Sequence, residues 1–170
     1  MKKFTHFKFH IPYSGRKGTT LVELMLVIAV IAALSFISFL SLLGRKGDTD
    51  LKNTTEQMAS LLREARSRSV SQASSTSWGV HFDNAATSSP FFAIFYSVTY
   101  STSTTIGYYK LPSTLVYATS TIPSGSYKEV TFSQISGLAS ASTSITIFLP
   151  RSVPLGSSTI NVGSSGAVSF

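Results

Sequence analysis

The chain has 170 residues, a formal net charge of +7 and no cysteine, and only 12% of its residues are charged while 43% are hydrophobic. The missing cysteines exclude a disulfide framework and thiol catalysis. The excess positive charge sits largely at one end, on Lys2, Lys3, Lys8, Arg16 and Lys17, so basicity here reads as membrane topology rather than as a nucleic-acid surface.

After this basic leader, residues 21–43 form an apolar run without proline and without glycine, in which Glu23 is the only charge. At helical rise the run reaches roughly 35 Å, enough to span a bilayer core. An ordinary secretory signal has a shorter apolar stretch of about 7–15 residues followed by small residues at its cleavage site. Here Leu42-Leu43-Gly44-Arg45-Lys46 follows instead, so the segment is expected to stay attached. The cations before the span outnumber Arg45 and Lys46 after it, which puts the N-terminus in the cytoplasm and the remainder outside. Glu23 is costly in this setting: an ionised side chain in hydrocarbon is unfavourable by about 3 kcal/mol or more, so it needs a partner or a function. Ser35, Ser38 and Ser41 recur every third residue and read equally as a close-packed stripe between helices or as hydroxyls bonded to their own backbone.

A second helical stretch follows, with Leu51, Met58, Leu61, Leu62 and Ala65 on one apolar stripe. Gly44 and Gly47 lower helix propensity by about 1 kcal/mol each, and Asp48 or Asp50 can cap a restarted helix, so a hinge and a continuous bent helix are both consistent with the pattern. Arg63, Arg66 and Arg68 lie near Glu64. Such clusters are mostly solvated faces or intrahelical ion pairs, and nucleic-acid contact is the alternative.

From residue 71 the composition becomes rich in Ser and Thr with few charges, and the apolar period changes from 3.6 to 2. Trp78, Val80 and Phe82 predict one strand, and Phe92, Ile94, Tyr96, Val98 and Tyr100 a longer one. Residues 106–111, 115–118, 130–135 and 144–149 predict four more between Ser, Gly and Pro turns. Residues 159–162 and 167–170, joined by the glycines of 163–166, predict a hairpin. The aromatic and β-branched content supplies a driving force to fold that a disordered stalk lacks.

Catalytic chemistry finds little support. His81 and Asp83 share a strand face at i and i+2, a pairing read as structural or solvated, and the remaining acids form no recognisable set. His6 and His10 have helical metal-ligand spacing but lie in the leader. No glycine-rich loop follows a strand and opens a helix, so the expectation is no enzyme, no metal and no cofactor.

Lys17-Gly18 followed by an apolar helix with Glu five places beyond the glycine resembles the prepilin peptidase site of type IV pilin-like proteins. The stretch Leu61-Leu62-Arg63-Glu64-Ala65-Arg66 is similar to the helix end of GspH/FimT-type pseudopilins. The resemblance implies cleavage by a membrane aspartyl protease, the prepilin peptidase, between Gly18 and Thr19, N-methylation of Thr19, and filament assembly through the helix, with Glu23 meeting the freed amine of a neighbour. Thr19 stands where most members have Phe or Met, and Leu40 where many major pilins carry proline, which favours a minor pilin or pseudopilin. The implied fold is α+β, a long N-terminal helix, membrane-spanning in its first half, packed on an antiparallel β-sheet domain. Its parts are a leader at 1–18, an assembly helix at 19–43, the second half of the helix at 44–70 and an extracytoplasmic β domain at 71–170. The implied partners are the peptidase, the membrane and other pilins or pseudopilins of a type IV pilus or type II secretion filament. Some FimT-like members bind DNA during uptake through a C-terminal basic motif. Only Arg151 follows Lys128 here, which leaves Arg63, Arg66 and Arg68 as the candidate nucleic-acid contacts. A surface adhesin is a further alternative.

Overall fold

The computed structural model describes residues 19–85, 88–150 and 156–170, with the side chains of 37–45 outside the description. Helix α1, Leu21–Val70, carries helical backbone through both Gly44 and Gly47, with no break at either. Its start is fixed by Thr20, whose hydroxyl accepts a hydrogen bond from the Glu23 amide at 3.2 Å and satisfies one of the donors that a helix N-terminus leaves unpaired. The chain divides into two units after Leu40.

In the first unit the described side chains of α1 are exposed all round. Large apolar residues from Leu21 to Phe36 keep between 48% and 73% of their surface, the range from Val27 to Leu21. Among the described residues no helix is long and apolar enough to cross a membrane. The part of the predicted span at 37–43 lies outside the described side chains.

In the second unit α1 is amphipathic. Met58, Leu61, Leu62 and Ala65 are buried and Leu51 is partly so, as the stripe predicts, and Thr54, Thr55 and Ser69 are buried beside them. They meet two four-stranded antiparallel sheets rather than one. Sheet 1 has the order β3-β2-β1-β5, from β1 (Trp78–Asn84), β2 (Phe91–Tyr96), β3 (Thr105–Lys110) and β5 (Ser126–Phe132). Sheet 2 has the order β4-β6-β7-β8, from β4 (Val116–Tyr117), β6 (Thr143–Phe148), β7 (Ser157–Val162) and β8 (Val168–Ser169). Trp78, Val80, Phe82, Phe92 and Ile94 from sheet 1 share one core with Ile145, Ile147, Ile160 and Val162 from sheet 2. Each strand places alternate residues there, which is why period 2 was visible. The core is pinned to the helix end by Ser69, whose hydroxyl donates to the Phe132 carbonyl at 2.6 Å, and by Trp78 Nε1, which donates to the Ala73 carbonyl at 2.7 Å.

Two strands depart most from the sequence pattern. β2 stops at Tyr96, because the chain turns back and Tyr100 packs over the outer face of its own sheet. β5 spans Ser126–Phe132 and ends before Ile135, whose φ of 65° is incompatible with a strand. The C-terminal hairpin forms as the pattern indicates, β7 pairing with β8 across a turn in which Gly166 has φ 76°. A Cβ at Gly166 would sit 2.2 Å from the Gly137 carbonyl oxygen and 2.8 Å from Arg66 Nε, so both backbone sign and space require glycine.

Candidate functional site

The predicted processing residues fall at the edge of the description. Lys17 and Gly18 lie outside the described residues, and Thr19 is exposed ahead of α1. Glu23 is exposed in the first turn of α1, three residues after its cap. Thr20-Leu21-Val22-Glu23 has the form of a capping box, and the Thr20 half of it is present. A carboxylate in this turn is favoured by the helix dipole by about 0.3–1 kcal/mol. Among the described residues no cation pairs with Glu23. Ser35 donates its hydroxyl to the Ile31 carbonyl at 2.8 Å, which supports the backbone-bonded reading at that position, while Ser38 and Ser41 lie outside the described side chains.

The arginine cluster is engaged by the chain itself. Arg63 donates to the Val168 carbonyl at 3.2 Å and lies 5.3 Å from the centre of the Phe170 ring. Arg66 donates to the Ser165 carbonyl at 3.1 Å. Arg68 pairs with Glu64 at 2.7 Å, the i,i+4 ion pair foreseen from spacing, and stacks 4.7 Å over the Trp78 ring. Arg63 and Arg66 therefore clamp the last hairpin to α1, and each guanidinium offered as a nucleic-acid contact already has an internal partner. Their partners are main-chain carbonyls about a hundred residues on, which side-chain spacing does not reveal.

His81 and Asp83 do share a face, with His81 Nε2 at 3.8 Å from Asp83 Oδ2. The nearer acid is one that sequence spacing left unassigned: β1 pairs with β5 so that His81 stands opposite Glu129, whose Oε1 is 3.0 Å from Nδ1. Among the described residues no group of three or more His, Cys, Asp or Glu is arranged to hold a metal ion. Among the described residues Tyr117 is shifted. Burial first, and the negative charge of Asp83 second, raise its phenol well above the ordinary tyrosine range, so it stays neutral and donates to the Phe91 carbonyl at 3.2 Å.

The second part of α1 thus packs on two antiparallel sheets that share one core. The chain is similar in structure to the type IV minor pilin FimU of Pseudomonas aeruginosa strain PAO1, with a TM-score of 0.54 and 16% identity over 72% of this chain and 89% of that one. At that identity the likeness establishes the fold. No protein-family model and no curated protein matches the chain.

Proposed function

We propose that the chain is a minor pilin or pseudopilin, a structural and non-enzymatic subunit that is clipped between Gly18 and Thr19, inserted in the cytoplasmic membrane with its N-terminus inside, and drawn into a filament by α1. The observation that carries this reading is the first part of α1, apolar and exposed on every side with a single carboxylate in its first turn. Burying one exposed Leu or Ile contributes about 1.5–3 kcal/mol, so a bare helix of this kind is stable only in lipid or against other helices. Processing would free an amine at Thr19, and Glu23 of one subunit would pair with that amine on the next. Two charges that are each costly in hydrocarbon satisfy one another, and the pair sets the axial register between subunits. The similarity in fold to a type IV minor pilin supports this role.

Glu23→Ala tests the mechanism, since it should still insert and lose its leader but be depleted from sheared filaments. Wild-type incorporation of that variant removes the pairing model. Mass spectrometry of the mature protein is expected to give an N-terminal Thr19, methylated. A mature chain that still begins at Met1 would refute the processing step.

A further inference from the structure

The two sheets end in four lateral edges, and three of them are short or covered. β4 and β8, at the ends of sheet 2, are two residues long each. β5, at one end of sheet 1, is met along its free side by the chain that follows it: the Ser140 amide donates to the Thr131 carbonyl at 2.8 Å, Phe132 bridges to Ala139, and the Lys128 ammonium donates to the Ser144 carbonyl at 3.2 Å. β3, at the other end, is six residues long, and among the described residues no main-chain group bonds to its outer edge.

The Leu111 amide donates to the Pro90 carbonyl at 2.8 Å at the end of the β2–β3 ladder, so by alternation Gly107, Tyr109 and Leu111 turn their main-chain groups toward β2. Tyr108 and Lys110 therefore turn theirs outward. The strand holds little that would repel another: it has no proline, and Lys110 is its only charge. Toward the core, Tyr109 stacks on Phe92 at 5.5 Å and covers Gly107, where a Cβ would come 3.0 Å from the Tyr109 ring, so that face is filled from within the chain. On the opposite face Ile106 and Tyr108 are 56% and 50% exposed, and the Tyr108 ring continues from Phe91 at 4.6 Å.

We propose that β3 pairs antiparallel with β3 of a second copy of the chain, about a two-fold axis at Tyr108, joining two copies of sheet 1 edge to edge. Alternating open N–H and C=O groups are matched by another extended main chain, and antiparallel pairing of identical strands is what a two-fold axis generates. In the regular part of β3, beyond its register shift opposite Ile94 and Phe95, an axis at Tyr108 or at Tyr109 lets outward groups meet. Charge decides between them. An axis at Tyr109 sets the two Lys110 side chains roughly 8 Å apart, against about 14 Å for an axis at Tyr108, which exceeds the screening length of ~8 Å in physiological salt. The axis at Tyr108 also lays the Lys110 stem beside Ile106 of the second copy and brings the two Tyr108 rings together. The pair closes on itself and does not depend on the filament role.

The chain has no cysteine, so single substitutions report the contact directly. In the full chain in detergent micelles, mild oxidation is expected to cross-link Tyr108→Cys to itself, because Cα atoms directly opposite in such a pair stand about 5.5 Å apart, within disulfide reach. Lys110→Cys alone, and Tyr127→Cys on the far edge of the same sheet, should not cross-link. Sedimentation of cysteine-free variants supplies a second arm. Ile106→Lys, set opposite Lys110, should raise the dimer dissociation constant on the order of fivefold, and Ile106→Glu should lower it by a similar factor. A chain that stays monomeric, dimers of equal strength in both Ile106 variants, as contacts through α1 alone would give, or Tyr108→Cys cross-linking no more than Tyr127→Cys, overturns the proposal.

Discussion

The two parts of α1 share one backbone conformation and differ in what their side chains are for. From Leu21 to Phe36 apolar residues point in every direction and remain exposed, whereas from Thr54 to Ser69 only one stripe is apolar and that stripe is buried. The second part spends its hydrophobicity inside the chain, on the core between two sheets. The described side chains of the first part are not covered by any described residue of their own unit. The hydrophobic period, not the helix itself, distinguishes the two parts.

Paired truncations break this contrast most sharply. Leu62→Ala, at a fully buried position, should lower unfolding stability by about 2–5 kcal/mol. Ile28→Ala, at an exposed one, should leave the unfolding midpoint of the sheets unchanged and reduce only recovery in filaments. Denaturant unfolding measured on the full chain in detergent, alongside a filament assay, checks both halves. A smaller effect is expected from Gly166→Ala. The left-handed conformation alone costs about 1–3 kcal/mol for a residue with a Cβ, and the contact with the Gly137 carbonyl adds to it. Thermal unfolding reads this loss. The smallest change is that of Tyr117→Phe, which removes a hydroxyl donor to Phe91 and should cost about 1 kcal/mol near neutral pH. Its sign with pH is fixed. A phenol raised in the folded state contributes stability that is complete below the ordinary value of 10.0 and is lost as pH rises above it. The wild type should therefore destabilise in alkali more steeply than Tyr117→Phe, as read from unfolding curves across that range.

Much of this architecture was legible because burial follows period. Met58, Leu61, Leu62 and Ala65 at helical spacing, and Trp78, Val80 and Phe82 at strand spacing, all reach the core. Alternation failed where a side chain packs without a strand. Val98 and Tyr100 continue the pattern of β2, but the chain has already turned, and Tyr100 closes over its own sheet. Ile135 extends an apolar run beyond β5 in a left-handed conformation that sequence period does not register. The approach of Glu129 to His81 depends on which residue of β5 faces which of β1, a register set by the whole sheet. The cap at Thr20 stood openly in the Thr-x-x-Glu spacing, and reading Glu23 only as a partner for another subunit passes over it.

The clamp made by Arg63 and Arg66 joins parts of the domain that lie far apart in the chain. Those residues wait for carbonyls at Val168 and Ser165, on the final hairpin of the chain. Closing contacts of such long sequence separation are slow to form. Both donors lie on the helix and both acceptors on the β7–β8 hairpin, so the two elements hold one another across nearly the whole β domain. Loss of either guanidinium therefore removes a tie between two elements that the sequence holds far apart.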